Sequence, residues 1–398
     1  MAKKTVNVAQ VGCGFMGRSH ANAYLKVGKF YNLPVEPVMH TAVDLIEPAV
    51  KAYAANWGFA NWSTDPMAIA ASDEIDFIDI CTPNNAHAPI AIAALEAGKH
   101  VGCEKPLAAD LGEARAMRDA ARKAARKGVK NYVWFSYRGC PATALASKMV
   151  AEGKLGRIFH VRAQYLQDWG GPKTPLLWRF KKELAGSGAH GDLNAHIIDL
   201  TRFITGQEIT EVCGAIEETF IKQRVIPESE AGNIKGGKVS KKAKMGRSTV
   251  DDAVLFLGRL SGGGVASFEA TRLATGSQND NRIEINGEFG SLRWSFESGN
   301  LLYYYNANDD EERAGWQRIM CTKAGKHPYA GHWWPDAHTQ GYEHGIINCT
   351  AMAFQDVGGK KMEVKIADFE DAYQTQRVLE AAVMSARERS WIKLKDVK

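Results

Sequence analysis

The sequence lacks four things, and each absence removes a class of function. No stretch approaches the roughly 20 apolar residues of a membrane-spanning helix. The first residues, "MAKKTVNVAQVGCGFMG", enter a strand pattern at once, with no apolar run leading to a cleavage site. There are seven cysteines, an odd number, and no CxxC pair. That argues against a disulfide framework or a zinc knuckle and for reduced thiols in a cytoplasmic setting. Cys81 and Cys103 sit inside apolar strand patterns and are expected to pack in the core. A broad basic face is also missing. The net charge is +5, but residues 228–247 hold six basic and two acidic side chains and so account for +4 of it. One basic loop on a near-neutral chain does not describe a nucleic-acid surface. Neither a membrane nor a nucleic acid is expected as a partner, and no internal repeat is present.

What remains is an ordinary globular composition, 45% hydrophobic and 24% charged, over 398 residues. That length exceeds what one core usually supports, so two domains are expected. Up to about residue 135, strand patterns at 5–11, 36–43, 75–81, 99–103 and 130–135 alternate with helix patterns at 16–26, 48–57, 86–97 and 110–127. Such alternation means βαβ units and a parallel sheet. After about residue 157 the rhythm changes. "RIFHVRAQYLQ" puts Phe159, Val161, Ala163 and Tyr165 on one side and Ile158, His160, Arg162 and Gln164 on the other, a half-buried strand. Strand patterns follow at 208–221, 250–260, 264–273, 282–286, 290–296 and 300–305, with a helix at 367–389. The expected fold is an α/β domain built on a parallel sheet, 1–136, followed by an α+β domain, 137–398, with a large, mostly antiparallel sheet. The final helix could pack on both. Residues 224–248 are expected to be a mobile excursion between strands, and 306–340, with "HPYAGHWWPDAH", an aromatic loop.

Gly12, Gly14 and Gly17 stand in G-x-G-x-x-G spacing between the first strand and helix. Such glycines allow a tight turn, close approach to a pyrophosphate, and packing of helix on strand. The helix N-terminus then offers N–H groups to phosphate. Asp44 closes the second strand pattern, where a carboxylate can accept from ribose hydroxyls. It is followed by Leu45 rather than a cation for a 2′-phosphate, which favours NAD over NADP. Further on, "CTPNNAH" and "CEKP" end the fourth and fifth strands. These ends should face the same crevice. Alone, Lys105 could be a solvated lysine in a turn.

In "GSGAHGDLNAHIIDL", residues 186–200, a regular helix places Asp192, His196 and Asp199 within about a 60° arc at the edge of an apolar stripe. A buried structural hydrogen bond is one explanation and a catalytic acid–base group another. A metal held by His190, Asp192 and His196 is a third, against which the spacing is not H-E-x-x-H.

Taken in order, G-x-G-x-M-G, "TPNxxH", "EKP" and Gly-x-Gly-x-x-x-Asp-x-x-x-His-x-x-Asp resemble the glucose–fructose oxidoreductase/inositol dehydrogenase/rhizopine catabolism (Gfo/Idh/MocA) family. "YLQDWG", "LLWRF" and "GYEH" resemble its sugar 3-dehydrogenases, including the levoglucosan-oxidising members, although those often carry Gly-Arg where this chain has Asp44-Leu45. The resemblance implies a Rossmann domain, an open sheet whose outer face makes a homodimer or homotetramer, and catalysis by Lys105, Asp192 and His196. It implies cofactor contacts at Gly12, Gly14, Phe15, Met16, Gly17, Asp44, Thr82, Pro83, Asn84, His87, Glu104 and Lys105. Substrate contacts would come from Lys105, Tyr137, Arg138, Gln167, Asp168, Trp178, Asp192, His196 and Asp199, with no metal.

Oxidising a secondary alcohol needs a base for the O–H proton and a hydride acceptor. An imidazole, with an intrinsic pKa of about 6.5, suits the base. A carboxylate can orient it, and an ammonium can stabilise developing alkoxide charge. The expected reaction is NAD-dependent oxidation of a ring hydroxyl, C3 of a pyranose such as levoglucosan or a glycoside. An inositol dehydrogenase, a glycosidase using transient oxidation and a non-catalytic NAD sensor are the alternatives.

Overall fold

A computed structural model describes residues 3–228, 239–240 and 243–398. They fall into two compact units. The first joins residues up to Gly139 with Tyr342–Tyr373; the second comprises the described residues of 140–341 with Gln374–Lys398.

The first unit is a parallel sheet of β1 (Lys4–Val11), β2 (Val35–Val43), β3 (Asn61–Ser63), β4 (Phe77–Ile80), β5 (His100–Cys103) and β6 (Asn131–Val133), in the order β3-β2-β1-β4-β5-β6. Helices Phe15–Phe30, Glu47–Trp57, Pro66–Ala71, His87–Glu96 and Leu111–Ala125 connect the strands. Val8, Phe77, Ile78, Ile80 and Val101 are fully buried, as a sheet covered on both faces requires. β3 and helix Pro66–Ala71 were not expected. The strand is only three residues long, and the helix is started by Asp65, whose side chain accepts from the N–H groups of Met67 and Ala68. Helix Tyr342–Val357 also belongs to this unit, packing along helix Phe15–Phe30, with the Tyr31 hydroxyl donating to Asn348 at 2.7 Å.

The second unit holds β7 (Ile158–Leu166), β8 (Ile209–Glu218), β9 (Gln223–Val225), β10 (Met245–Arg247), β11 (Ala253–Leu260), β12 (Val265–Thr271), β13 (Asp280–Gly287), β14 (Gly290–Ser295), β15 (Leu301–Asn306), β16 (Gln317–Met320) and β17 (Ile392–Lys393). Nine of them form one sheet, β16-β15-β14-β13-β7-β12-β11-β8-β17. Every neighbouring pair is antiparallel except β7 with β12. The large, mostly antiparallel sheet expected for this half is therefore present. β9 and β10 pair as a separate ribbon at the two ends of the segment read as a mobile excursion. Part of that excursion, residues 229–238 and 241–242 with Lys235, Lys238, Lys241 and Lys242, lies outside the described residues.

Two local expectations are corrected. The alternation read for β7 holds from Val161 onward, but Ile158 is buried and Phe159 exposed. Opposite Asn286 and Gly287 the pairing skips Phe159, which is the extra residue of a bulge in β7, so the side chains exchange faces there. Residues 186–200 are not one regular helix. A π-helical turn, His190–Asn194, leads into the α-helix Ala195–Thr205. The carboxylate of Asp251 accepts from the N–H groups of Gly188 (2.7 Å) and His190 (2.8 Å), and the Ser187 hydroxyl from Gly191. These side chains satisfy N–H groups at the start of the turn that have no partner within it. A wider turn advances each residue by less than 100°, so the angular arc read for a regular helix does not carry across Asp192 to His196.

Helix Ala195–Thr205 lies against β7 and β13 on one face of the sheet. Elsewhere in the sheet, Ile216 on β8 pairs with Leu255 on β11, and both are exposed, as are Leu257 and Val265.

Candidate active site

In the first unit the site begins at the turn after β1. Gly12 adopts φ +101°, and a Cβ there would stand 2.6 Å from the Cys81 carbonyl oxygen. A Cβ on Gly17 would meet the Gly12 carbonyl oxygen at 2.1 Å. Gly14 differs: its backbone is ordinary, φ −75°, and a Cβ would meet nothing within 4 Å. The open side of this turn, at the start of helix Phe15–Phe30, fits the approach of a pyrophosphate. Asp44, at the end of β2, accepts from the Cys13 N–H at 2.9 Å. The carboxylate is thus fixed beside the turn, where a ribose diol could donate to it. Phe15 stacks on Tyr342 with ring centroids 6.0 Å apart, and the Tyr342 hydroxyl lies 3.5 Å from the Met16 sulfur. Burial raises the thiol pKa of Cys13, with Asp44 adding to the effect, and pushes Cys81 up to about 12. Neither thiol is a ready nucleophile.

The other cofactor candidates lie at the ends of β4 and β5. Thr82 is half-buried, Pro83 exposed and Asn84 buried. His87 is fully buried, with Nε2 3.2 Å from the Thr82 carbonyl oxygen and Nδ1 3.1 Å from that of Pro106. It therefore ties the two motif loops together, and burial lowers its pKa. The Lys105–Pro106 peptide is cis, and Lys105 is half-buried. Its N–H donates to Glu104 Oε2 at 3.1 Å. Behind Glu104 lies a polar cluster that sequence reasoning missed. His20 Nε2 is 3.1 Å from Glu104 Oε1, and Nδ1 is 2.8 Å from Asp79 Oδ2. Tyr24 and Trp134 also donate to Asp79. Burial pushes the pKa of His20 down, but the Asp79 carboxylate outweighs it, and the result is well above 6.5. Tyr137 and Arg138 are buried, and Arg138 pairs with Asp371 at 2.8 Å.

In the second unit, His196 and Asp199 are buried on helix Ala195–Thr205, and the His196 ring lies 5.7 Å from that of Tyr165. Asp192, in the π turn, keeps its side chain 25% exposed and accepts from Arg272 Nη2 at 2.8 Å. Arg272 and Asp251, which hold this turn, were not anticipated. Of the substrate candidates, Asp168 is exposed and Trp178 half-buried beneath the Arg179 guanidinium. Gln167 is engaged on both ends of its amide, accepting from Trp169 Nε1 at 2.6 Å and donating to Asn279 at 2.8 Å.

Among the described residues, the one group able to hold a metal is His20, Asp79 and Cys81. It is buried, and Asp79 already accepts from His20, Tyr24 and Trp134. His190 is occupied otherwise, with Nε2 2.8 Å from the Leu379 carbonyl oxygen.

Comparison with known proteins bears directly on these motifs. Residues 6–132 match the oxidoreductase family with an NAD-binding Rossmann fold, and residues 143–293 the GFO/IDH/MocA C-terminal domain. Over 98% of both chains the sequence is 38% identical to levoglucosan dehydrogenase of Pseudarthrobacter phenanthrenivorans. The structure of an oxidoreductase domain protein from Kribbella flavida is 45% identical, with a TM-score of 0.91 over 98% of this chain and 99% of that one. A levoglucosan dehydrogenase in complex with NADH and levoglucosan is 36% identical, with a TM-score of 0.89 over 98% and 100% of the two chains.

Proposed function

The chain belongs to the GFO/IDH/MocA family of oxidoreductases with an NAD-binding Rossmann fold, and from that premise we propose that it is an NAD-dependent dehydrogenase of the CH–OH class acting on a sugar. The ring hydroxyl at C3 of a pyranose, levoglucosan or a glycoside, is the proposed point of oxidation. The observation that carries this reading is the full-length similarity to levoglucosan dehydrogenase, 38% identity over 98% of the chain, in a sequence holding Lys105 in "EKP" and Asp192 and His196 in "GDLNAH".

NAD supplies, when bound, the hydride acceptor at C4 of its nicotinamide. The residues at Gly12, Gly14 and Gly17 admit its pyrophosphate, and Asp44 accepts from its ribose hydroxyls. His196 takes the proton of the substrate hydroxyl. Asp192 orients the reacting polar groups and stabilises the protonated imidazole. The ammonium of Lys105 donates to the substrate oxygen and stabilises its developing negative charge. Asp168, Gln167, Trp178 and Asp199 hold the sugar through polar contacts and an aromatic face. Buried Tyr137 and Arg138 shape the approach. The seven cysteines are unbridged, which suits a cytoplasmic enzyme; no helix of the described residues is long and apolar enough to cross a membrane. The exposed Ile216, Leu255, Leu257 and Val265 of the sheet suit association with a second copy of the chain.

The test is a screen of levoglucosan, glucosides, glucose and inositols with NAD and with NADP, following NADH formation and identifying the product. The expected result is a 3-keto sugar formed fastest from levoglucosan or a glucoside with NAD. Preference for an inositol would move the substrate class, and glycoside cleavage without net NADH would replace dehydrogenation by elimination chemistry.

A further inference from the structure

Arg272 follows the end of β12 in a part of the sequence that shows no motif. Its side chain is 1% exposed, an expensive place for a guanidinium unless its donors are satisfied. Nη2 donates to Asp192 Oδ2 at 2.8 Å and to the Gly188 carbonyl at 3.1 Å, and Nη1 to the Arg179 carbonyl at 3.2 Å. The guanidinium carbon lies 5.1 Å from the centre of the Trp169 ring and 5.7 Å from that of Phe180. Two backbone carbonyls and two aromatic rings therefore fix the plane of the group. Its ion-pair partner is the partly exposed carboxylate of Asp192 in the π turn, whose backbone is held separately by Asp251, and the Arg224 guanidinium over the same Phe180 ring is a like charge nearby.

This is an asymmetric pair: a rigid, buried cation aims a carboxylate that still reaches solvent. We propose that Arg272 is the positioning residue for Asp192, fixing the direction and the charge of its carboxylate for the reaction. The inference rests on the role given to Asp192 above and adds to it the group that holds Asp192 in place. A lysine could carry the charge but not the planar fork that reaches Asp192 and the two carbonyls together.

The test is a double-mutant cycle on the purified full-length enzyme, with levoglucosan and NAD as substrates. Arg272→Lys is expected to lower kcat about 10-fold or more, with KM for NAD and the melting temperature little changed. In the Asp192→Asn background the same substitution should cost less than about 2-fold, because a residue acting through Asp192 has nothing left to position. Added guanidinium chloride at millimolar concentration should restore part of the turnover of Arg272→Ala while leaving Asp192→Asn unchanged. An equal loss from Arg272→Lys in both backgrounds would overturn the positioning role while leaving Asp192 in the mechanism. Full turnover in Asp192→Asn would instead remove Asp192 from the mechanism, and the inference with it. If Arg272→Ala does not fold, the Arg272→Lys cycle decides alone.

Discussion

Asp44 and Cys13 are joined by a 2.9 Å hydrogen bond from the Cys13 N–H to the Asp44 carboxylate. The end of the second strand is thereby tied to the glycine-rich turn by the carboxylate that the proposed function assigns to the ribose. Asp44→Ala should raise the Kd for NAD by about 10-fold or more, the worth of a charged hydrogen bond, and the Kd for NADP much less, because a 2′-phosphate already meets repulsion there. Fluorescence titration with both nucleotides checks this. Equal losses would contradict the assignment of Asp44 to cofactor choice.

Two glycines of the same turn should respond in opposite ways. A Cβ on Gly14 meets nothing within 4 Å, so Gly14→Ala should leave the melting temperature unchanged and weaken NAD binding. A Cβ on Gly17 would press on the Gly12 carbonyl at 2.1 Å, so Gly17→Ala should destabilise the fold by about 1–3 kcal/mol. Thermal melts with and without NAD separate the two. A Gly14→Ala variant that binds NAD normally would remove the pyrophosphate from that position.

His20 is a charge clamp between two buried carboxylates. His20→Leu leaves Asp79 and Glu104 buried without their cation and should cost about 3–5 kcal/mol. Since the folded-state pKa of His20 lies above 6.5, the stabilisation is full below that value and fades as the pH rises through the raised one. Denaturant midpoints of wild type and His20→Leu across this range should converge on the alkaline side. A gap that widens with pH would reverse the sign.

No step of the proposed chemistry uses a metal. Dialysis against a chelator should leave turnover unchanged, and activity restored only by an added divalent ion would bring a metal back into the mechanism.

Much of this was legible in the sequence, for reasons that can be named. The strand–turn–helix around Gly12, Gly14 and Gly17 is local, so spacing alone placed it. Strands of the second unit showed because apolar residues alternate along them. What stayed hidden depended on partners distant in sequence. The π turn at His190–Asn194 answers to Asp251, about 60 residues further on, and Arg272 declares itself only once folding brings it beside Asp192. The bulge at Phe159 shows only in the pairing of its strand with β13, which skips that residue, so the local alternation misplaced it. His20 was readable in principle: it shares a helical stripe with Tyr24 and Val27, all buried, and Asp79 interrupts the apolar strand "FIDI". A histidine and a carboxylate on two buried faces invite pairing, but spacing says nothing of which meets which.

The most direct measurement of the central claim is NADH formation from levoglucosan by wild type, Lys105→Ala and His196→Ala, alongside NAD affinity. The account predicts one NADH per sugar oxidised by wild type, and a fall in kcat of about 100-fold or more in each variant with NAD affinity retained. Near-normal turnover in both variants would contradict it.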